Sequence, residues 1–412
     1  MDRAEVPRTV HPPPAGPSIR FFVTVRPRAR SPGHVSHVSS HSPHGQSPLR
    51  TVQVLGGGSA VSSAHVRSLA SGLVARGVRV TVCAPSDADG RYDFTGVGAH
   101  HVHVPRSSDP ASVASLRSAC ADADLVHAHG LHAGFRATLA LGRRTTPLVV
   151  TWHTRSYAEG ARAHLLRLLE RRVAKAAAVV LGTSSDLVDR ARSRGARDAR
   201  LAAVALPGPG RTGTGDDQDR PACKVRAELG ATARPLLMAV GALDRHRGYD
   251  TLLDAARAWR GLDPAPLLVV VGEGPLRSVL QRRIAQEELP VRLAGRRDDV
   301  AELIAAADLA LLPGGPEARP VLAQEALRAR VPLVAAAVGS VTDLVGDGAE
   351  LVPYGDAGAL AAAVTRLLDD PARCAGLRER GTRQAATWPT EDETVAQVLS
   401  VYDELTRPRP LG

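Results

Sequence analysis

Two glutamates, Glu317 and Glu325, stand eight positions apart in the stretch EARPVLAQEALRARVPLVAAAVGS, with mostly apolar residues between them. The run before them, LALLPGG, reads as a strand entering a glycine loop. Pro320 suits the first turn of a helix, where its missing N–H is no loss. The helix is expected to continue through Val321, Leu322, Ala323 and Glu325 to about Ala329. Its first N–H groups lack intrahelical partners and carry partial positive charge, so Val321 and Leu322 can offer donors to a phosphate. Glu325 lies about 7.5 Å along the axis at about 1.5 Å per residue, and its side chain leans back toward the N-terminus. A carboxylate there can accept two hydrogen bonds from a ribose diol whose diphosphate rests at the helix tip. Glu317, in the loop before the tip, would face whatever lies beyond the diphosphate. Ribose, diphosphate and a hydroxyl-bearing group in a row describe a nucleotide sugar. The bland alternative is a solvated helix face, but Glu325 sits among Leu322, Ala326 and Leu327, which disfavours a fully wet position.

Other residue types point to less. His65, His127 and His129 are isolated histidines, a type more often structural than catalytic. His34, His37, His41 and His44 lack acidic or cysteine company, so no metal role is expected for them. Cys83, Cys120, Cys223 and Cys374 are far apart, without metal or redox spacing, which reads as thiols in a reducing compartment. No Asp-x-Asp stands at a strand end, which suits a site without metal.

These residues need a scaffold. TVQVL, three glycines, AHVRSLASGLVARG and VRVTVCAP form strand, loop, helix and strand, the opening βαβ unit of a parallel doubly wound sheet. DLVHAHG, PLVVTWHT and AVVLGTS continue it as strands, and HLLRLLERRVAKAA as a helix. ALPGPGRTGTGDDQDRP is a linker by its Gly, Pro and Asp content. A second series follows: PLLMAVGAL, YDTLLDAARAW, PLLVVVGEGP, LRSVLQRRIAQEE, VRLAG, DDVAELIAAA and LALLPGG. The expected architecture is α/β, with two Rossmann-like domains facing a cleft. The expected bounds are a tail over 1–49, domains over 50–208 and 222–388, a linker over 209–221, and a C-terminal helix over 389–406 that packs back on the first domain.

The tail is rich in Pro, Ser, His and Arg and is expected to be disordered; a translation start nearer Arg50 would account for it equally. The net charge of +10 is uneven. The first 50 residues carry seven arginines against two acids, residues 51–210 carry 20 basic against 11 acidic groups, and the rest 25 against 29. An anionic partner for the first half, a phosphorylated acceptor or an acidic membrane face, is one reading; an arginine-rich surface is the other. HLLRLLERRVAK could lie on a membrane as a basic amphipathic helix, but its leucines at 165, 166, 168 and 169 more simply pack on the sheet. No apolar run reaches the roughly 18 residues of a membrane span. The expected location is cytoplasmic, with a peripheral place at the inner membrane face left open. No nucleic-acid partner is expected.

From Arg50 to about Thr406 the chain resembles a family 4 retaining glycosyltransferase of the GT-B fold, of actinobacterial type. The Glu, seven residues, Glu signature appears as EARPVLAQE, followed by a small-residue run. VGALDRHRGYDTLLDAA, VVVGEGPLRSVL, VRLAGRRDDVAELIAAADLALLP and the opening LGGGSAVSSAHVRSLASGLVARGVRVTVCAP resemble further segments of that family in the same order. The resemblance implies transfer of a hexose from a nucleoside-diphosphate sugar to a hydroxyl acceptor, with retention and without metal or other cofactor. It implies that Gly58 lets the backbone approach a phosphate or the acceptor, and that His153 approaches the sugar at the reaction centre. It implies that Arg247 replaces a phosphate-binding lysine, that Glu317 contacts sugar hydroxyls and Glu325 the ribose, and that Val321 and Leu322 donate N–H groups to the diphosphate. Three departures stand out. Ala242 takes the place of an arginine, with Arg245 as a nearby substitute. Glu317-Ala318-Arg319-Pro320 replaces Glu-Gly-Phe-Gly, and the linker lacks Asn-Gly. The alternatives are a catalytically impaired nucleotide-sugar binder and, more remotely, a nicotinamide oxidoreductase. Against the latter, the glycine loop lacks G-x-G-x-x-G spacing and only Asp87 offers a second-strand acid.

Overall fold

A computed structural model describes residues 47–56, 60–105, 108–154, 160–205, 219–315 and 320–407. Gly58, Glu317 and nearly all of the segments read as tail and linker lie outside the described residues.

The first half runs β1 (Arg50–Leu55), α1 (Ala60–Ala75), β2 (Arg79–Ala84), α2 (Ser86–Tyr92), β3 (His100–His103), α3 (Pro110–Ala119), β4 (Leu125–His129), α4 (Leu131–Leu141), β5 (Leu148–Trp152), α5 (Gly160–Ala176), β6 (Val179–Gly182), α6 (Ser185–Ser193) and β7 (Ala199–Leu201). The second runs α7 (Asp219–Leu229), β8 (Leu236–Val240), α8 (Tyr249–Trp259), β9 (Leu267–Val271), α9 (Arg277–Gln286), β10 (Val291–Gly295), α10 (Val300–Ala305), β11 (Leu309–Leu312), α11 (Val321–Arg328), β12 (Leu333–Ala336), α12 (Val341–Val345), β13 (Ala349–Val352), α13 (Ala357–Asp369), α14 (Pro371–Ala386) and α15 (Glu391–Thr406).

Two parallel sheets result, in the orders β3-β2-β1-β4-β5-β6-β7 and β10-β9-β8-β11-β12-β13. In each, chain direction across the sheet reverses beside the first strand, between β1 and β4 and between β8 and β11. Such a switch point opens a crevice at the carboxyl ends of the strands, where ligands of doubly wound sheets bind. The strands are apolar because helices cover both faces. Val52, Val54, Val126, Ala128 and Val150 pack on one side of the first sheet with α4 and α5. Leu55, Leu125 and Val149 pack on the other with α1.

That second layer is completed by α15, although α15 follows the second sheet in sequence. Val395, Val398, Val401 and Tyr402 are buried in the same core as Val66 and Leu69 of α1. Thr390 and Glu393 form a capping box at its start. Its register on the first half is fixed by polar pairs. Gln397 accepts from Ala203 N at 2.6 Å and donates to Leu201 O at 2.8 Å, and Thr394 Oγ1 accepts from Ala205 N at 2.9 Å. By contrast α14 stays with the second half, where Leu377 and Ala385 join its cores.

Some expectations need correcting. Leu49 packs on the first core and its carbonyl accepts from Arg79 N at 2.8 Å, so it belongs to the fold rather than to the tail. Helix α7 starts at Asp219, inside the stretch read as linker, since a proline within the first helical turn costs no hydrogen bond. Pro320 is the N-cap and not the first helical residue: its ψ of 129° is extended, and Val321 begins the helix. The leucines of α5 do not all pack on the sheet. Leu165 and Leu168 are 59% and 50% exposed, whereas Glu170, Val173 and Ala174 face inward. The buried Glu170 on that face is paired: Arg190 Nη2 and Arg194 Nε of the α6 region each reach it at 2.8 Å. Strands β3, β7, β12 and β13 and helices α2, α3, α4, α6, α7, α12, α13 and α14 had no expected counterpart.

Candidate functional site

At the switch point of the first sheet, β1 ends at Leu55 and the chain enters the glycine loop. A Cβ on Gly56 would stand 2.8 Å from Ala133 N of α4, so only glycine lets the loop pass so close to that helix. Arg136 of α4, 1% exposed, reinforces the turn by donating to the carbonyls of Leu55, at 2.7 Å, and Pro105. No sequence signal marked this arginine, whose partners are backbone atoms remote in the chain.

His129 closes β4 and His153 follows the last residue of β5, so adjacent parallel strands bring both rings to one edge. Their ring centroids are 5.7 Å apart, and His153 Nε2 lies 3.4 Å from His129 Nδ1. His65 of α1 meets both rings edge-on, at 5.7 and 5.2 Å. Below them, on the α1/α15 face, lies a buried polar chain. His129 Nε2 is 3.0 Å from Gln53 Oε1, and Gln53 Nε2 donates to the Tyr402 hydroxyl at 3.0 Å. The same hydroxyl lies 2.8 Å from His127 Nδ1, and His127 Nε2 lies 2.7 Å from Thr151 Oγ1. Tyr402 and His127 are wholly buried, so their polar atoms must pair within the protein.

Burial holds these imidazoles neutral. It pushes the pKa of His127 down to about 3, with the nearby His65 adding to it. His129 and His153 are also held well below the ordinary histidine range, first by burial and then by neighbouring histidines. Burial moves the Tyr402 phenol the other way, upward. The three histidines 65, 129 and 153 each bring a ligand nitrogen within 4.8 Å of the others and form the group, among the described residues, that could converge on a metal ion. The donor set is three neutral imidazoles without a carboxylate. It suits zinc or copper and not magnesium or manganese, the hard ions that attend phosphates.

The second site lies at the other switch point. The loop from β8 to α8 carries Asp244, the exposed Arg245, and Arg247. Gly248 adopts φ +71°, and a Cβ there would stand 2.7 Å from Pro313 O, so this loop rests directly on the one leading to α11. A Cβ on Gly315 would stand 3.0 Å from Arg247 Cδ, which places the Arg247 side chain against the same segment. Arg247 Nε is 3.8 Å from the Asp244 carboxylate, and its side chain is 22% exposed. Tyr249 secures the loop by donating to Gly241 O at 2.9 Å. Helix α11 then presents Val321 and Leu322 in its first turn, with Glu325 one turn on. The Glu325 side chain is 12% exposed and 3.3 Å from Arg328 Nη1. Burial raises its pKa, against the lowering effect of Arg328. Ala242 is exposed at the end of β8 and supplies no charge. The sequence-expected residues therefore fall into two groups: His153 at the first switch point, and Arg247, Val321, Leu322 and Glu325 around the second. Arg245 stands apart, on the exposed turn.

Two open α/β sheets with ligand crevices at their switch points define a GT-B protein. Residues 62–207 match the family described as Glycosyl transferase 4-like domain, and residues 224–384 match Glycosyl transferases group 1. The chain belongs to the group 1 glycosyltransferases of family 4. It is 32% identical over 314 residues to a D-inositol 3-phosphate glycosyltransferase of Salinispora arenicola, covering 68% of each chain. It is 31% identical to an alpha-D-kanosaminyltransferase of Streptomyces kanamyceticus, over 63% of this chain and 71% of that one. Among solved structures, Anabaena HepE in complex with UDP and glucose superposes with a TM-score of 0.73 at 18% identity, covering 86% of this chain and 99% of that one. WaaG, a glycosyltransferase of lipopolysaccharide biosynthesis, gives 0.62 at 19%, over 87% of this chain and all of that one. Family membership sets aside the oxidoreductase reading.

Proposed function

We propose that the protein moves a hexose from a nucleoside-diphosphate sugar to a hydroxyl acceptor, with retention of anomeric configuration and without a metal ion. The observation that carries this reading is the seating of the Arg247 loop on the segment that leads into α11. A guanidinium and a helix N-terminus then serve one anion. Cleavage of the sugar–phosphate bond builds negative charge on the departing diphosphate, and these two groups stabilise it as it forms. Glu325 holds the ribose, and Glu317, outside the described residues, addresses the sugar together with His153 from the first domain. The UDP and glucose bound to HepE support a donor of this class.

The acceptor is anionic or lies at a membrane. The basic first half supports this, as does the phosphorylated acceptor in the name of the Salinispora relative. No described helix is long and apolar enough to cross a membrane. A cytoplasmic enzyme touching the inner membrane face through α5 fits these features. Ala242 favours a second reading, a protein that binds nucleotide sugars without turning them over. One assay separates the two: hydrolysis and transfer measured over a panel of nucleoside-diphosphate sugars with and without EDTA, alongside calorimetric binding, with the product anomer read by NMR. Turnover that survives EDTA and retains configuration is the expected result. Binding without turnover would establish the second reading, and loss of activity with EDTA would end the metal-free mechanism.

A further inference from the structure

Three imidazoles meet at the edge of the first sheet with the spacing of ligands that share one ion. His129 closes β4, His153 follows β5, and His65 comes from α1. His129 Nδ1 and His153 Nε2 are 3.4 Å apart, long for a hydrogen bond. The separation is that of neighbouring nitrogens on tetrahedral zinc, about 3.3–3.4 Å at bond lengths of about 2.0–2.1 Å. A square-planar ion at the same bond length would need about 2.8–3.0 Å. The rings agree with the tetrahedron. An imidazole centroid lies about 1.1 Å behind its ligating nitrogen, so three rings on one tetrahedral ion stand about 5.2 Å apart. The three centroid separations are 5.2, 5.7 and 5.7 Å. All three ligand nitrogens lie within 4.8 Å of one another, so ring rotations about the broad χ2 torsion need to close at most about 1.4 Å. His127 is not a fourth member. Its centroid is 4.3 Å from that of His129, and its two nitrogens lie 2.8 and 2.7 Å from the Tyr402 and Thr151 hydroxyls. A ligating imidazole needs an acceptor for its other N–H. The amide of Gln53, whose Oε1 is 3.0 Å from His129 Nε2, provides it.

We propose that His65, His129 and His153 form a zinc site through which zinc switches glycosyl transfer off. Three histidine nitrogens leave the fourth position of the tetrahedron to water. With no carboxylate in the set, magnesium and manganese compete poorly for it. His65 and His129 are each 2% exposed and His153 is half-buried, so His153 is the ligand nearest solvent. Inhibition follows from that ligand. A His153 nitrogen bound to zinc cannot meet a sugar hydroxyl, and its ring is fixed by the ion. The ion makes and breaks no bond of the substrate, and metal-free transfer resumes when it leaves. The switch rests on His153 standing at the reaction centre; the site does not.

The test uses the full chain without an affinity tag, with His34, His37, His41 and His44 changed to asparagine so that the first 50 residues hold no competing cluster. Dialysis against zinc chloride and then against buffer should leave one zinc per chain. Cobalt chloride in its place should give the intense visible absorption of a tetrahedral site, a readout that needs no further variant. His65→Asn and His153→Ala, each shown to be folded by its melting temperature, should weaken zinc binding more than about 100-fold, beyond the loss typical of an outer-shell partner. Zinc should lower the transfer rate by about 10²-fold or more, the low end for a positioned group at the reaction centre, and EDTA should restore it. In His65→Asn the rates with and without zinc should be the same. No retained zinc, a weak octahedral cobalt spectrum, or zinc held equally by both variants would overturn the site. Zinc held without loss of rate, or a rate that rises with zinc, would overturn the switch. If the protein turned over no nucleotide sugar, the functional reading and the switch would fall together, while dialysis and the cobalt spectrum would still decide the site.

Discussion

A neutral histidine and a cation do different work in a site that handles a leaving diphosphate, and burial has already chosen for His153. In the reaction proposed above, where it meets the sugar, His153 should matter to turnover and little to diphosphate binding. His153→Ala is expected to cut kcat by about 10²- to 10⁴-fold while calorimetry shows nucleoside-diphosphate affinity almost unchanged. Arg247→Ala should weaken both. Glu325→Ala should cost nucleotide binding about 1.5–3 kcal/mol, the range for hydrogen bonds to a charged group; unaltered affinity in a folded variant would remove Glu325 from the ribose. The buried histidines also make stability depend on pH. Their folded pKa values lie below the unfolded one, so the unfolded chain binds more protons as pH falls. The stabilisation is complete above about pH 6.5 and is lost on descent, for His127 toward about 3. Depressed carboxylates such as Glu287, held at about 2 by Arg257 and Arg283, begin to act only below about 4.5. Urea midpoints should therefore decline between pH 6.5 and 4.5, with a limiting slope of about 1.4 kcal/mol per pH unit for each histidine; a flat profile would contradict the neutral cluster. In the sequence, His153 is singled out through the family resemblance carried by TWHT, and Glu325 through the helix expected to carry it. The sequence did not show the chain beneath them. TVQVL, LVHAH and LVVTW place Thr51, Gln53, His127, His129 and Thr151 on one face by simple alternation, yet only strand register makes them touch, and Tyr402 is 275 residues from His127.

Among the elements, the two glycine-led switch points were legible because strand, glycine loop and helix follow one another in sequence. The helix faces were not. Helix α5 carries leucines at positions that look internal, yet the face it buries is that of Val173, Ala174 and Glu170, the last paired with two arginines on the α6 side. The outcome is a helix with Leu165 and Leu168 exposed among the exposed Arg162, Arg167, Arg171 and Arg172. Such a surface favours an anionic interface, into which leucine side chains insert while arginines meet headgroups. The wild type is expected to co-sediment with vesicles containing acidic phospholipid, more weakly as salt rises, and Leu165→Asp with Leu168→Asp should abolish this without lowering the melting temperature. Equal sedimentation of both proteins would leave α5 as an ordinary surface helix.

For the molecule as a whole, the two halves share a helix. Val395, Val398 and Val401 each bury a side chain worth about 1.5–3 kcal/mol, a sizeable part of a total stability of about 5–15 kcal/mol. Ending the chain after Trp388 should therefore lower the melting temperature sharply or leave the product insoluble. The second sheet, whose cores do not include α15, should lose less protection from hydrogen exchange than the first. Uniform loss across both sheets, or none, would show that α15 is not a member of the first core. The general plan of two parallel sheets could be read from alternating strand and helix runs. The return of the last helix to the first half was expected, and Val395, Val398, Val401 and Tyr402 carry it, but the partners that fix its register lie far away in the chain.

The shared helix also sets an order of events at the ribosome. Synthesis at about 5–20 residues per second delivers residue 205 roughly 10–40 seconds before residue 406, an interval in which α1 and the β1–β4 face have no partner for their outer surface. Folding from the N-terminus onward, the usual course for chains built of several domains, would here leave the first half without its α15 layer until the second half has been made. The half translated first is completed by the helix translated last, and an apolar layer left open in that interval would offer a surface to chaperones and to a neighbouring chain's α15.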